Sequence, residues 1–413
     1  MKTLALVSLG CAKNAVDLQV RAGGYLKKGW ALSPDPNRAD AVIVNTCAFI
    51  ASAREEAEDE IRRALALKAS GRYGRVIVAG CYPQRYPESA SAFPGVDEWL
   101  GVPKGWQEQK VPGLRLTGKA FAYLKIAEGC SHRCSYCAIP YIRGAYRSRP
   151  MRSILREARA LVESGCRELN VVAQDPMAWS DGKMRLPDLL RKMDKIPGDF
   201  WTRVLYSYPS EITDGFLEWM RESPHAVRYI DVPVQHTVPA VLEKMNRRGA
   251  TAATLSAASR LRREIPDVTL RTTVMTGFPG ETERRFKQLM SDLREMEFDK
   301  LGAFSYSPEE GTAGAAMRGR PSAAVARKRE RLVMAQQKTI WAKRAANLVG
   351  RTFRALVVAP GVARLPSQAP DVDGVVFLEG KAAGAPVGEF IDVRLARRRG
   401  FDFVGRAEPD FML

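Results

Sequence analysis

The sequence lacks any apolar run approaching the ~20 residues that a membrane-spanning helix needs. It shows no small-residue cleavage site that would make its short apolar beginning a secretory signal. No internal repeat or low-complexity tract interrupts the 413 residues, of which 46% are hydrophobic and 27% are charged. These absences argue against a membrane partner and against disorder. We expect a cytoplasmic protein of two or three domains, at roughly 150 residues each.

Acidic residues are too few to balance the basic ones. The chain has 64 Lys and Arg residues against 46 Asp and Glu, which gives a formal net charge of +18. A surplus of this size raises the local concentration of polyanions such as RNA. A generally basic, soluble surface explains the same number, so charge alone leaves an RNA contact open.

Seven cysteines in a chain expected in the reducing cytosol favour metal or redox chemistry over disulfides. Cys11, Cys47 and Cys81 each follow a short apolar strand. The strands are predicted at 3–9, 41–45 and 75–79. Because helical stretches separate them, they are typical of a parallel sheet covered on both faces. Carboxyl ends of parallel strands share one edge, so we expect the three thiols to meet and hold one metal group.

From about residue 119 a second series of alternating strands and helices begins. Six strands are predicted near 121–127, 168–172, 202–206, 228–232, 268–274 and 301–305. Two of the intervening helices carry an amphipathic stripe. The stripes consist of Ile154, Leu155, Ala158, Leu161 and Val162, and of Phe286, Leu289, Met290, Leu293 and Met296. Six units are two fewer than a TIM barrel has, so we expect an open, partial (βα)6 barrel with its active site at the carboxyl ends of the strands.

The last part of the chain changes character. Residues 322–346 predict a long basic helix, which a solvated face explains as well as a nucleic-acid contact does. After Gly350, short strands alternate with Gly and Pro turns, which predicts a small β-barrel. This segment has no cysteine or histidine and carries a basic turn, Arg397–Arg399, so we expect it to dock substrate. The predicted domains are residues 1–114, 115–346 and 347–413.

The sharpest signal is GCSHRCSYC, in which Cys130, Cys134 and Cys137 have C-x3-C-x2-C spacing just after the first barrel strand. Three thiolates in one loop can hold three irons of a [4Fe–4S] cluster and leave the fourth iron open. That iron can chelate S-adenosylmethionine, and electron transfer then gives a deoxyadenosyl radical. The alternative is structural zinc with His132 as a fourth ligand. Structural zinc usually pairs two cysteine knuckles, and no second CxxC lies nearby.

Other candidates have an ordinary explanation beside the functional one. Tyr136 can pack on the adenine of the cofactor or simply plug the cluster loop. Gly277, in GFPGE after the fifth barrel strand, can line the S-adenosylmethionine pocket or form a plain strand-to-helix turn. Cys166 stands alone beside a strand, and we expect it in the core.

These motifs carry a family resemblance. The cysteine loop on a partial barrel resembles the radical S-adenosylmethionine superfamily, and the flanking domains resemble its methylthiotransferases, whose C-terminal barrel is called TRAM. Within that group the chain resembles the RimO family. The matching strings are SLGCAKN at 8–14, VNTCAFI at 44–50, CAIPYIRGAYRSRP at 137–150, YPSEITD at 208–214 and DGVVFLEG at 373–380. The tRNA-modifying branch, MiaB, typically has Gln-Met-Asn where this chain has Ala12-Lys13-Asn14. The chain departs from the RimO pattern at Leu18-Gln19, where Ser-Glu is usual, and in GCYPQRY at 80–86.

The resemblance implies a transferase that adds a methylthio group to the β-carbon of an aspartate in a small-subunit ribosomal protein of the S-twelve type. A tRNA adenosine methylthiotransferase is the alternative enzyme, and a non-catalytic RNA-binding or iron–sulfur structural protein is the alternative class. Implied cofactors are S-adenosylmethionine and two [4Fe–4S] clusters, one on Cys130, Cys134 and Cys137 and an auxiliary one on Cys11, Cys47 and Cys81. Implied partners are the ribosomal protein or ribosome, RNA through the TRAM domain, and a reductant such as flavodoxin or ferredoxin. Radical chemistry suits a carbon–hydrogen bond that ordinary acid–base groups cannot break.

Overall fold

The computed structural model describes residues 1–106, 114–247 and 250–407. Three units follow one another along the chain: a parallel α/β sheet, an open α/β barrel and a small closed β-barrel. This is the predicted fold class. The domain boundaries stay predictions, and residues 107–113 and 408–413 of the expected domains lie outside the described residues. Among the described helices, none combines the length and the apolar character that crossing a membrane requires.

The N-terminal unit is built on a five-stranded parallel sheet. Its strands are β1 (Thr3–Ser8), β2 (Ala31–Leu32), β3 (Ala39–Thr46), β4 (Tyr73–Gly80) and β5 (Glu98–Leu100). Its helices are α1 (Ala12–Leu26), α2 (Ala51–Ala69) and α3 (Cys81–Arg85), and a 3₁₀ turn spans Pro87–Ala92. The strand order is β2-β1-β3-β4-β5, with Val44 of β3 paired to Val7 and Val78. Every residue from Ala41 to Thr46 is buried, as expected for a central strand covered on both faces.

The second unit contains the six predicted barrel strands, all parallel. They are β6 (Phe121–Lys125), β9 (Glu168–Val172), β12 (Trp201–Val204), β13 (Tyr229–Asp231), β14 (Thr269–Thr276) and β15 (Lys300–Ser305). The short strands are β7 (Ala127–Glu128), β8 (Arg147–Ser148), β10 (Ser180–Asp181) and β11 (Met184–Arg185). The strands form two groups, β12-β9-β6 and β13-β14-β15, joined by one isolated bridge between Thr202 and Ala226. The barrel is therefore open and partial, as predicted.

Helices cover the outside of the barrel. They are α4 (Ile139–Arg143), α5 (Met151–Glu163), α6 (Leu186–Met193), α7 (Asp214–Glu222), α8 (Pro239–Lys244), α9 (Ala250–Glu264), α10 (Glu283–Met296) and α11 (Ala323–Ala346), with 3₁₀ turns at Pro209–Glu211 and Ala313–Ala316. The predicted stripes of α5 and α10 face the core, where Ile154, Leu161, Phe286 and Leu289 are buried. Cys166 lies in the same core, as expected.

The third unit is a closed five-stranded barrel. Its strands are β16 (Thr352–Ala359), β17 (Val362–Arg364), β18 (Val376–Glu379), β19 (Phe390–Arg399) and β20 (Asp402–Ala407), with a 3₁₀ turn at Gly380–Gly384. The barrel closes in the order β16-β17-β18-β20-β19. Arg397, Arg398 and Arg399 are exposed, but they are the last residues of strand β19 and not the turn that the sequence predicted, because they pair with β20.

This small barrel is also joined tightly to the second unit. Arg364 pairs with Glu168 of β9, which also accepts a 2.8 Å hydrogen bond from Arg203 of β12. Asp373 accepts a hydrogen bond from the Tyr229 hydroxyl, and its backbone carbonyl accepts one from Lys300. These side chains lie toward the amino ends of the barrel strands. The segment 364–373 therefore closes the end of the barrel opposite its active-site mouth.

Candidate functional site

Cys11, Cys47 and Cys81, called the N-terminal trio below, lie at the carboxyl ends of β1, β3 and β4. Gly10 precedes Cys11 with a φ of +89°, and a Cβ built on it would lie only 2.9 Å from Cβ of Cys47. The missing side chain thus allows the turn after β1 to approach Cys47 closely. The sheet edge brings the three cysteines together, as the sequence predicted.

The three thiols of the N-terminal trio differ in how readily they lose a proton. Burial works against the thiolate at Cys11, but Lys13 and Arg143 outweigh it and lower the pKa of this thiol. Burial raises the pKa of Cys47, and it raises the pKa of Cys81 to about 12. Arg143 donates to Sγ of Cys81 at 3.4 Å. A metal group would have to displace the protons of the two buried thiols, as cysteine-ligated metals do.

Cys130, Cys134 and Cys137, called the loop trio below, follow β7 at the mouth of the barrel. Gly129 starts the loop with a φ of +76°, and a Cβ there would lie 2.3 Å from the carbonyl oxygen of Ala145. Only glycine fits this close approach. Burial raises the pKa of Cys130 to about 11 and that of Cys137 to about 12.

The spacing of the sulfurs tests which metal group fits. A tetrahedral zinc with 2.3 Å bonds needs its sulfurs about 3.8 Å apart. Within the described residues, the only group of three potential ligands whose atoms all lie within 4.8 Å of one another is His132, Asp175 and Glu211. Neither cysteine trio is that tight. Thiolates that bind three different irons of one cluster do not need such tight spacing, so the spacing of each trio is compatible with a [4Fe–4S] cluster.

His132 does not join the cysteines. Its Nε2 lies 2.8 Å from Oδ2 of Asp175 and 3.3 Å from a carboxylate oxygen of Glu211, and its ring stacks on Tyr208 at 4.0 Å. Burial and the nearby Asp175 raise the pKa of Glu211 to about 7. The alternative of a zinc site completed by His132 therefore receives no support from the geometry.

Tyr136 is 9% exposed and packs edge-to-face on Phe278, with ring centroids 6.3 Å apart. Its hydroxyl accepts a hydrogen bond from Arg247, whose guanidinium lies 4.0 Å from Sγ of Cys134. Through these contacts Tyr136 packs beside the loop trio. Contact with a cofactor stays a prediction.

Gly277 has a φ of +78°, and a Cβ on it would lie 2.3 Å from Cβ of Ala326 in α11. Its backbone amide donates to Glu281 at 3.0 Å. Close packing of α11 and a turn hydrogen bond account for this glycine without a cofactor. Its assignment to the S-adenosylmethionine pocket therefore remains untested.

The residues that depart from the RimO pattern make packing and hydrogen-bond contacts within the protein. Leu18 is fully buried and packs against Ile43 and Ile77 of the sheet. Gln19 accepts a hydrogen bond from the amide of Leu116, and the Tyr82 hydroxyl donates to Glu58. These contacts pack the first unit and join it to Leu116 at the start of the second.

A buried network of four charged residues joins the two trios and was not foreseen from the sequence. Asp17 and Glu128 each bind both Lys125 and Arg143: Arg143 lies 2.9 Å from Asp17 and 3.0 Å from Glu128, and Lys125 lies 2.9 Å from Glu128. Two carboxylates face two cations, so the network is neutral as a whole. Arg143 lies within the motif at 137–150, but its partner Asp17 lies 126 residues away, so the sequence does not show that the two meet.

A barrel loop, residues 205–208, contacts both of the segments that carry the cysteine trios. Tyr208 stacks on His132 of the cysteine loop. Tyr206 has a φ of +71°, rare for an aromatic residue, and its ring lies 3.6 Å from Nζ of Lys13. The amide of Tyr206 donates to Asp231 at the end of β13, which holds this strained conformation. The two trios thus face a common space at the mouth of the barrel.

Sequence comparison decides the family. The chain is 41% identical to the ribosomal protein uS12 methylthiotransferase RimO of Moorella thermoacetica, over 98% of this chain and 99% of that protein. It is 38% identical to the protein of the same name from Geobacter sulfurreducens, over 97% and 98%. The chain belongs to the RimO family of methylthiotransferases. It is accordingly a radical S-adenosylmethionine enzyme, as predicted, and the alternative of a non-catalytic protein is excluded.

The three units of this RimO-family chain match three sequence families. Residues 3–101 match the uncharacterized protein family UPF0004, residues 124–293 the radical SAM superfamily, and residues 349–407 the TRAM domain. Membership in the radical SAM superfamily implies S-adenosylmethionine and one [4Fe–4S] cluster.

Solved structures support the fold. The methyltransferase TsrM of Kitasatospora setae, with cobalamin and a [4Fe–4S] cluster bound, superposes with a TM-score of 0.52 at 16% identity, over 92% of this chain and 82% of that one. The radical enzyme OxsB superposes with a TM-score of 0.53 at 12% identity, over 83% and 56%. At these identities the likeness concerns the fold alone.

Proposed function

We propose that the protein adds a methylthio group to the β-carbon of an aspartate of ribosomal protein uS12, in the cytoplasm. The relatives that match over nearly the whole chain are named ribosomal protein uS12 methylthiotransferases. The observation that supports the proposal is the convergence of two cysteine trios on one space at the barrel mouth. One trio alone would serve radical formation, whereas inserting sulfur needs a second site that supplies sulfur.

The loop trio would hold the cluster that binds S-adenosylmethionine, and the N-terminal trio would hold a second, auxiliary [4Fe–4S] cluster. When bound, these groups supply the radical and the methylthio sulfur. Three ligands at each site leave one iron without a protein ligand.

The chain's own residues prepare this space. Arg143 places a positive charge against Cys81, which stabilises the thiolate form that binds metal. Asp17 and Glu128 hold Arg143 and Lys125 in place at the junction of the two units. The half-buried rings of Tyr206 and Tyr208 lie between Lys13 and His132 and would limit the water there, which protects a reactive intermediate from side reactions.

The partners follow from the same assignment. The substrate is the ribosomal protein, free or in the ribosome, and the TRAM barrel would contact neighbouring RNA through Arg397–Arg399 at the end of β19. A low-potential protein such as flavodoxin or ferredoxin would supply the electron. The +18 charge suits a target surrounded by RNA.

The test incubates reconstituted enzyme, reductant and S-adenosylmethionine separately with uS12 and with unmodified tRNA. Mass spectrometry should find one methylthio group replacing hydrogen on an aspartate-containing peptide of uS12. A variant with the loop trio changed to alanine is the control and should give no product. Modification of a tRNA adenosine alone would show the MiaB-type activity instead and overturn the proposal.

A further inference from the structure

Lys13 is a buried cation without an acceptor. It lies in the first turn of α1, and only 8% of it is exposed. Its Nζ lies 3.6 Å from the ring centroid of Tyr206. No hydrogen-bond acceptor for this ammonium exists among residues 1–106, 114–247 and 250–407. A cation–π contact compensates only part of the cost of burying an ammonium group.

The carboxylates near Lys13 already bind other groups. Asp17 and Glu128 bind Lys125 and Arg143. Asp231 binds Arg271 at 2.9 Å through one oxygen and the amide of Tyr206 through the other. Among the described residues no carboxylate forms an ion pair with Lys13, whose ammonium has only the Tyr206 ring and the neighbouring Cys11 beside it.

Two features of the position of Lys13 oppose its positive charge in the free protein. A helix N-terminus carries a partial positive charge, so a lysine in the first turn is repelled there. Burial adds a desolvation cost that a protein partner would normally offset. Residues that break local rules in this way are expected at functional sites.

Lys13 also lies where the chemistry must occur. It is two residues from Cys11 of the N-terminal trio, and Tyr206 beneath it belongs to the loop that contacts His132 of the cysteine loop through Tyr208. A substrate atom that is reached from both trios has to lie in this space.

We propose that Lys13 binds the side-chain carboxylate of the substrate aspartate and thereby selects a carboxylate over a neutral side chain. This rests on the proposed function. The β-carbon is bonded directly to the carboxylate carbon, so an ion pair to Lys13 fixes the reacting carbon within one bond of the anchored group. Lys13 thus acts as a specificity and positioning residue.

The test measures binding of uS12 to the unreduced holoenzyme by fluorescence anisotropy. Wild-type uS12 is compared with a variant in which the modified aspartate, located by mass spectrometry, is replaced by asparagine. Wild-type enzyme should prefer the aspartate form about 30-fold or more, as expected for a desolvated ion pair. In Lys13→Met, which keeps the side-chain length without the charge, the preference should fall to near onefold. Lys13→Arg should restore most of it.

Lys27→Met is the matched control. Lys27 follows the same helix but is exposed at its far end, so its loss changes the net charge equally and should leave the preference unchanged. If Lys13→Met retains the full preference for aspartate, the inference is wrong. Failure of wild-type enzyme to modify uS12 would instead refute the proposed function.

Two further measurements separate this role from a structural one. Iron content of Lys13→Met after reconstitution should equal that of wild type, whereas loss of iron would show that Lys13 serves the cluster. The thermal midpoint of the metal-free variant should stay close to that of wild type, because methionine keeps the packing and Lys13 forms no hydrogen bond or ion pair that would be lost. A clear drop in that midpoint would mark Lys13 as a structural residue and overturn the assignment.

Discussion

Glu168 should be the residue whose charge most strongly joins the TRAM barrel to the radical SAM barrel. Its side chain is fully buried and binds Arg203 of β12 and Arg364 of the small barrel. Arg203 is fully buried and Arg364 is 3% exposed. Changing Glu168 to glutamine keeps the shape but leaves two buried guanidinium groups without their shared counter-charge.

Breaking a buried ion pair by removing one partner costs about 3–5 kcal/mol, because the remaining charge stays desolvated. Folded proteins are typically stable by about 5–15 kcal/mol, so this loss would remove most of the stability of a protein at the low end of that range. We expect Glu168→Gln to lower the free energy of unfolding of the metal-free protein by about this amount. Urea titration followed by circular dichroism and by tryptophan fluorescence measures it.

Glu379→Gln is the matched control. Glu379 also binds two arginines, Arg397 and Arg406, but on the exposed surface of the same small barrel. Exposed ion pairs contribute little because water screens them, so this change should leave stability nearly unaltered. If Glu168→Gln destabilises the protein no more than Glu379→Gln does, the buried pair does not hold the units together.

The pH dependence gives a second check. Burial opposes ionisation of Glu168, but Arg364 and Arg203 outweigh it and lower its pKa in the folded state. A carboxyl group with a lowered folded pKa stabilises the fold above its unfolded pKa of about 4.3 and loses this contribution as pH falls through the folded value. Stability of the metal-free wild type should therefore decline more steeply below about pH 4.3 than stability of Glu168→Gln.

The other predictions concern the cofactors and the small barrel. Replacing the loop trio by alanine should reduce reconstituted iron from about eight to about four per chain and abolish S-adenosylmethionine cleavage, whereas finding zinc would contradict the cluster assignment. Replacing the N-terminal trio should stop methylthio transfer but spare cleavage; a folded variant that still transfers would refute the sulfur-carrying role. Gly277→Ala should destabilise the protein by about 1–3 kcal/mol through its clash with Ala326, and unchanged stability with weakened cofactor binding would favour the pocket role instead. Changing Arg397–Arg399 to alanine should slow modification of uS12 within the ribosome and leave the iron content unaltered; undiminished turnover would argue against docking there.

The substitution at Arg397–Arg399 tests docking better than deletion of residues 347–413 does. The sequence predicted a separate docking module, because this segment offers no cysteine or histidine. The structure adds that segment 364–373 closes the barrel and pairs with buried Glu168. Deleting residues 347–413 would therefore expose the barrel interior, and a loss of activity would not distinguish lost docking from misfolding.

Much of this protein follows from the sequence alone. Short apolar strands ending in Cys11, Cys47 and Cys81 determine where the N-terminal trio lies, because parallel strands end at one edge of a sheet. The spacing of the loop trio is local, so it needs no tertiary information. Hydrophobic periodicity in α5 and α10 likewise identified the buried faces before any packing was known.

Only the tertiary structure decided which charges meet. Asp17 and Lys125 are 108 residues apart, and Glu168 and Arg364 are 196 apart. Nothing local distinguishes these residues from solvated ones, since their pairing depends on how whole units pack. The sequence equally does not show that Lys13 lacks an ion pair, because a lysine in a helix looks ordinary until every nearby carboxylate is shown to have another partner. Backbone patterns are set by neighbours in sequence, whereas charge balance at a buried junction is set by neighbours in space.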